Sequence, residues 1–67
     1  MTQEYTIKIR NLYENKSRKV VIEGQNPMVV HKQAYMKELK SDEEISCIED
    51  SQMRIVFELK KGFTHIN

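Results

Sequence analysis

The residues with the most chemical potential lie between Lys40 and Asp50, in the stretch KSDEEISCIED. It holds five of the ten acidic residues (Asp42, Glu43, Glu44, Glu49 and Asp50) and the single cysteine, Cys47. The two histidines, His31 and His65, lie elsewhere. Magnesium or calcium needs several oxygens converging on one point, and the calcium-loop pattern alternates acids around a central glycine. This stretch has neither that spacing nor a glycine. As a strand it places Asp42 and Glu44 on one face and Glu43 on the other. As a helix it brings Asp42 near Glu49, with nothing to complete a site. A solvated acidic edge or a helix cap is the simpler reading, and no metal ligand is assigned.

Covalent catalysis would have to use Cys47 with His31 or His65. A reactive thiol needs electropositive surroundings that favour the thiolate. The neighbouring carboxylates do the opposite, and a lone cysteine between two isoleucines reads as a small buried hydrophobe. Gly24 and Gly62 are isolated, so there is no phosphate loop. The chain carries no RNP aromatics, GXXG loop or zinc-finger spacing. Its 67 residues leave little room for a ligand-sized pocket. The expectation is a protein that is not an enzyme, with no catalytic residues and no cofactor.

The elements that must position these groups are set by hydrophobic period. EYTIKIRNL (residues 4–12) alternates, with Tyr5, Ile7 and Ile9 on one face and Thr6, Lys8 and Arg10 on the other. RKVVIEG (18–24) is β-branched, with Val20 and Ile22 inward and Lys19, Val21 and Glu23 outward. The turn-forming YENKS between them predicts an antiparallel hairpin. Gly24 then ends the strand, Asn26 suits a helix N-cap and Pro27 the first helical position. At 100° per residue, Met28, Val29, Tyr35, Met36 and Leu39 gather into the stripe predicted to face the core. Lys32 falls inside that stripe and must snorkel, while Val30 and Ala34 lie opposite as a small exposed strip.

The acidic stretch has two competing geometries. Ser41 to Glu44 matches a capping box at a helix start. The strand reading has the better partner in the next segment, because QMRIVFELKK (52–61) alternates Met53, Ile55, Phe57 and Leu59 against Arg54, Val56, Glu58 and Lys60. DSQ would form the turn, and GFTHIN is a tail that folds back through Phe63 and Ile66 or frays. The predicted fold class is α+β: a small antiparallel sheet, β-β-α-β-β, with one helix packed on one face. Residues 1–67 make a single domain.

Charge then ranks the functions. Residues 1–40 carry eight Lys or Arg against four Asp or Glu, residues 41–52 none against five, and residues 53–67 three against one. Such segregation bears on partners rather than fold. The acidic segment is the candidate docking edge for a protein with a basic surface, through Asp42, Glu43, Glu44, Glu49 and Asp50. The alternative is nucleic acid on a basic sheet face of Lys8, Arg10, Lys19, Arg54 and Lys60, since phosphate affinity comes mainly from charge. Against it, Tyr5 and Phe57 point to the core and only Tyr13 is available to stack on bases. Edge strands could also pair two copies into a homodimer.

A chain this short has a thin core, and one cysteine provides no disulfide staple. No apolar run approaches the roughly 20 residues that cross a bilayer, no signal-peptide core comes after Met1, and an unpaired cysteine fits a reducing compartment. The expected location is cytoplasmic. In general style, short and rich in Lys, Ile and Asn, the chain resembles small accessory proteins encoded by bacterial viruses and mobile elements. That resemblance implies an inhibitor, adaptor or regulator that binds a host protein.

Overall fold

The computed structural model describes residues 1–59. Strands β1 (Gln3–Asn11), β2 (Ser17–Gly24), β3 (Glu43–Glu49) and β4 (Ile55–Glu58) form one antiparallel sheet in the order β2-β1-β3-β4. Helix α1 (Pro27–Lys37) packs on one face of it. The predicted α+β class, the first hairpin and the helix are all present.

Local chemistry sets the boundaries. Asn11 ends β1 by accepting the backbone N–H of Tyr13 and Glu14 on its Oδ1, at 2.8 and 2.7 Å. That is the side-chain mimic of a turn at which asparagine excels. Asn26 caps α1 by accepting Val29 N–H on Oδ1 at 2.9 Å, and Pro27 comes next, as predicted. KSDEEISCIED resolves in favour of the strand. Its β3 is the central partner of β1, with Ile9 opposite Ile45 and Ile7 opposite Ile48. Two isoleucines three apart share one face only because the register slips between these pairs, leaving Ser46 as the bulged residue. Ser46 Oγ donates to the Lys8 carbonyl there at 3.1 Å.

Tyr5, Ile7, Ile9, Ile45 and Ile48 line the helix side of the sheet, with Val20, Ile22, Leu39 and Phe57 packed around them. Full burial of each large aliphatic is worth about 1.5–3 kcal/mol. The helix docks on this layer the other way round from the predicted stripe. Val30 and Ala34 are at 0% exposure, whereas Met28, Met36 and Tyr35 are 81%, 71% and 63% exposed. Volume, not hydrophobicity, decides the orientation. The sheet already supplies five bulky side chains, so the helix can close on it only through its smallest apolar residues. Gly24 marks the closeness of this approach, since a Cβ added there would sit 2.5 Å from Val30 Cγ2. Leu39, just beyond the helix, is the one member of the predicted stripe that packs against the core.

The second hairpin is shorter than predicted. Asp50 nucleates its turn, accepting Gln52 N–H and Arg54 N–H on Oδ1, both at 2.9 Å, and Met53 takes φ 65°. A register shift beside Glu49 then sets Ile55 opposite Glu49, so Ile55 leaves the core face and Phe57 alone reaches it. Lys60, Phe63, His65 and Ile66 lie outside the described residues.

Candidate functional site

The strand order puts both charged candidates side by side. The open face of β1 presents Glu4, Thr6, Lys8 and Arg10, and the adjacent β3 presents Glu44, Cys47 and Glu49. Lys8 Nζ lies 3.5 Å from Glu49, and Arg10 Nε is bonded to Glu44. Of the predicted basic face, Lys8, Arg10 and Lys19 do share this surface. Glu4, Glu23, Glu44, Glu49 and Glu58 share it too, so it is not the net basic surface expected from the sequence. Arg54 belongs instead to the turn, where its Nε meets Asp50 Oδ2 at 3.2 Å.

The other acids are engaged as well. Asp42 accepts Asn11 Nδ2 at 2.9 Å, tying the first turn to the start of β3. Glu43 lies on the helix side and takes a two-pronged contact from Arg18, Nη2 to Oε1 at 2.9 Å and Nε to Oε2 at 3.0 Å. The same guanidinium donates to the Glu38 carbonyl at 2.7 Å, so Arg18 clamps the helix C-terminus to the sheet. Hydrogen bonds from Arg18 and from the Lys40 N–H hold the Glu43 carboxyl down at about 2, and the same contact raises Arg18. Asp50 is lowered by the N–H groups of its turn, Arg54 first. Every carboxylate of the predicted docking edge therefore has a partner within the chain.

Sequence reasoning missed the Arg18 clamp, although its signal was present. Arg18 shares the parity of Val20 and Ile22, which puts a cation on the core side of a strand, where it requires a counter-charge. Cys47 and His31 fall on opposite sides of the sheet. Cys47 is half-buried on the open face, and burial pushes its thiol up, away from the thiolate. The His31 ring packs edge-on against Phe57, with centroids 4.8 Å apart. Among the described residues no three His, Cys, Asp or Glu side chains are grouped to hold a metal. Within the same span no helix is long and apolar enough to cross a membrane.

Among the described residues, part of what remains unmatched is apolar. Met28, Val29, Tyr35 and Met36 cover the outer side of α1 around Lys32, and Val21 is 60% exposed on β2. A small antiparallel sheet backed by one helix is the class this geometry defines. Compared with known proteins, the chain matches no family model, no curated protein and no solved structure.

Proposed function

We propose that the protein is a small non-enzymatic binding module whose contact surface for a protein partner is the outer face of α1. One observation carries this reading: an eleven-residue helix docks through Val30 and Ala34 and leaves Met28, Tyr35 and Met36 to solvent. Soluble proteins seldom expose contiguous large apolar side chains without a partner for them. Methionine and tyrosine suit such a surface, the first adaptable and the second rigid with a polar tip. Lys32 at the centre and Lys37 at the flank are exposed cations, so the complementary partner is an apolar groove rimmed by carboxylates.

The acidic segment is the competing surface for the same kind of function. Docking through it would first have to break the contacts of Arg10, Arg18, Lys8 and Arg54 with their carboxylates. The test is affinity capture from nuclease-treated lysate of the source cells with three baits: the native chain, Tyr35→Asp plus Met36→Asp, and Asp42→Asn plus Glu49→Gln. Circular dichroism first confirms that each bait is folded. A protein retained by the native and acidic-segment baits and lost from the helix bait supports the reading. Retention by the helix bait, or loss from the acidic-segment bait alone, overturns it.

A further inference from the structure

We propose that two copies of this chain pair through their β2 strands, antiparallel and about a two-fold axis at Val21, to make one continuous eight-stranded sheet. The surface is distinct from the outer helix face, and its geometry is set by hydrogen-bond parity. Among the described residues β2 is an edge strand, paired with β1. Asn11 N–H donates to the Lys16 carbonyl, and in an antiparallel ladder the inward-bonded residues recur every second position. Lys16, Arg18, Val20 and Ile22 therefore turn their backbone groups to β1. Ser17, Lys19, Val21 and Glu23 turn theirs outward, where no described strand receives them.

The charges of β2 are set against its own neighbour. In the β1–β2 register Lys19 stands opposite Lys8 and Glu23 opposite Glu4. Like charges directly opposed destabilise a strand pair. Lys8 has Glu49 on its other side, but among the described residues neither Lys19 nor Glu23 forms an ion pair. A natural edge often carries a lysine to discourage pairing. Here the same edge carries its answer four residues on.

Parity and charge together select one register. Two outward-bonding residues must face each other, so a two-fold axis passes through a residue and not between two. An axis at Lys19 or Glu23 sets like on like. An axis at Val20 or Ile22 places Val21 opposite Lys19 or Glu23 and leaves a charge unanswered. An axis at Val21 sets each Lys19 opposite Glu23 of the other copy and closes about six backbone hydrogen bonds. It also brings the two exposed Val21 side chains together on the open face. On the helix side, the half-buried Val20 meets Ile22 of the other copy.

Such an interface is at the small end of specific ones, so dimerisation in the micromolar range is expected. The test is sedimentation equilibrium from about 1 μM to 1 mM at low salt, on the native chain and three charge variants. Lys19→Glu and Glu23→Lys each remove a like-charge opposition inside the monomer, so folding is retained or improved. Each should weaken the dimer at least tenfold, while the double variant Lys19→Glu plus Glu23→Lys should restore it. Hydrogen exchange gives a second readout: the amides of Lys19, Val21 and Glu23 should gain protection with concentration, whereas Val20 and Ile22 are protected throughout. A native chain monomeric to 1 mM overturns the proposal. So does a dimer that the single swaps leave unchanged.

Discussion

Replacing Gly24 by alanine sets a methyl group where Val30 already stands, and the cost depends on whether Val30 is there. The added Cβ would lie 2.5 Å from Val30 Cγ2, about an ångström inside ordinary contact. Overpacking of this kind costs about 1–3 kcal/mol, less about 0.5 kcal/mol returned by the stiffer unfolded chain. Val30→Ala empties a site at 0% exposure and should cost about 1.5–3 kcal/mol. In the double variant the new methyl occupies part of the volume that Val30 vacated. Its cost should fall below the sum of the singles by about 1–2 kcal/mol. Met36→Ala, on the exposed side, should change stability by no more than about 0.5 kcal/mol. Total stability for a chain of this length is about 3–10 kcal/mol, so urea titrations monitored by circular dichroism resolve all four variants. Additivity of Gly24→Ala and Val30→Ala within about 0.5 kcal/mol would refute the close approach. A costly Met36→Ala with a cheap Val30→Ala would reverse the helix.

The charged clamp and the tight turn each give a further expected outcome. The folded-state carboxyl of Glu43, at about 2, lies below its ordinary value of 4.5. Its contribution to stability is therefore complete above about pH 4.5 and is lost as pH falls from there through about 2. Arg18→Gln should raise the Glu43 midpoint toward the ordinary range and flatten this acid limb; a carbon-13 titration in which the midpoint stays near 2 would show that Arg18 is not the cause. Met53→Gly should raise the unfolding midpoint, because glycine takes φ 65° without the cost of about 1 kcal/mol borne by a side chain there. An unchanged or lower midpoint would mean that the Met53 side chain contributes more than its backbone costs.

Period alone made much of this fold legible. Tyr5, Ile7 and Ile9 alternate strictly and are all buried, and the Asn26–Pro27 pair announced the helix start that the structure shows. Two features broke the reading, each for a physical reason. Bulges at Ser46 and beside Glu49 shift parity by one, which brings Ile48 into the core and sends Ile55 out of it. A wheel projection ranks helix faces by hydrophobicity, but close approach to a sheet selects for small volume, and Val30 with Ala34 wins on that ground. The site was hidden by topology. Counting charges along the chain separates acid from base, whereas the strand order β2-β1-β3-β4 folds them onto each other.

That folding-together also bears on function. Surface charges that meet an internal partner add little to association, because a docking protein must first displace that partner. Lys8 with Glu49, Arg10 with Glu44 and Arg18 with Glu43 are of this kind. Among the described residues the groups left over include a row of outward backbone donors and acceptors on β2, two charges opposed by their own sign, and an apolar helix surface centred on Lys32. Each is a cost to the isolated chain that association would remove. The charge segregation visible in the sequence thus serves the fold, through cross-strand pairing. The proposed pairing is sited where the described fold leaves its own interactions unfinished, and the paired swap at Lys19 and Glu23 tests it directly.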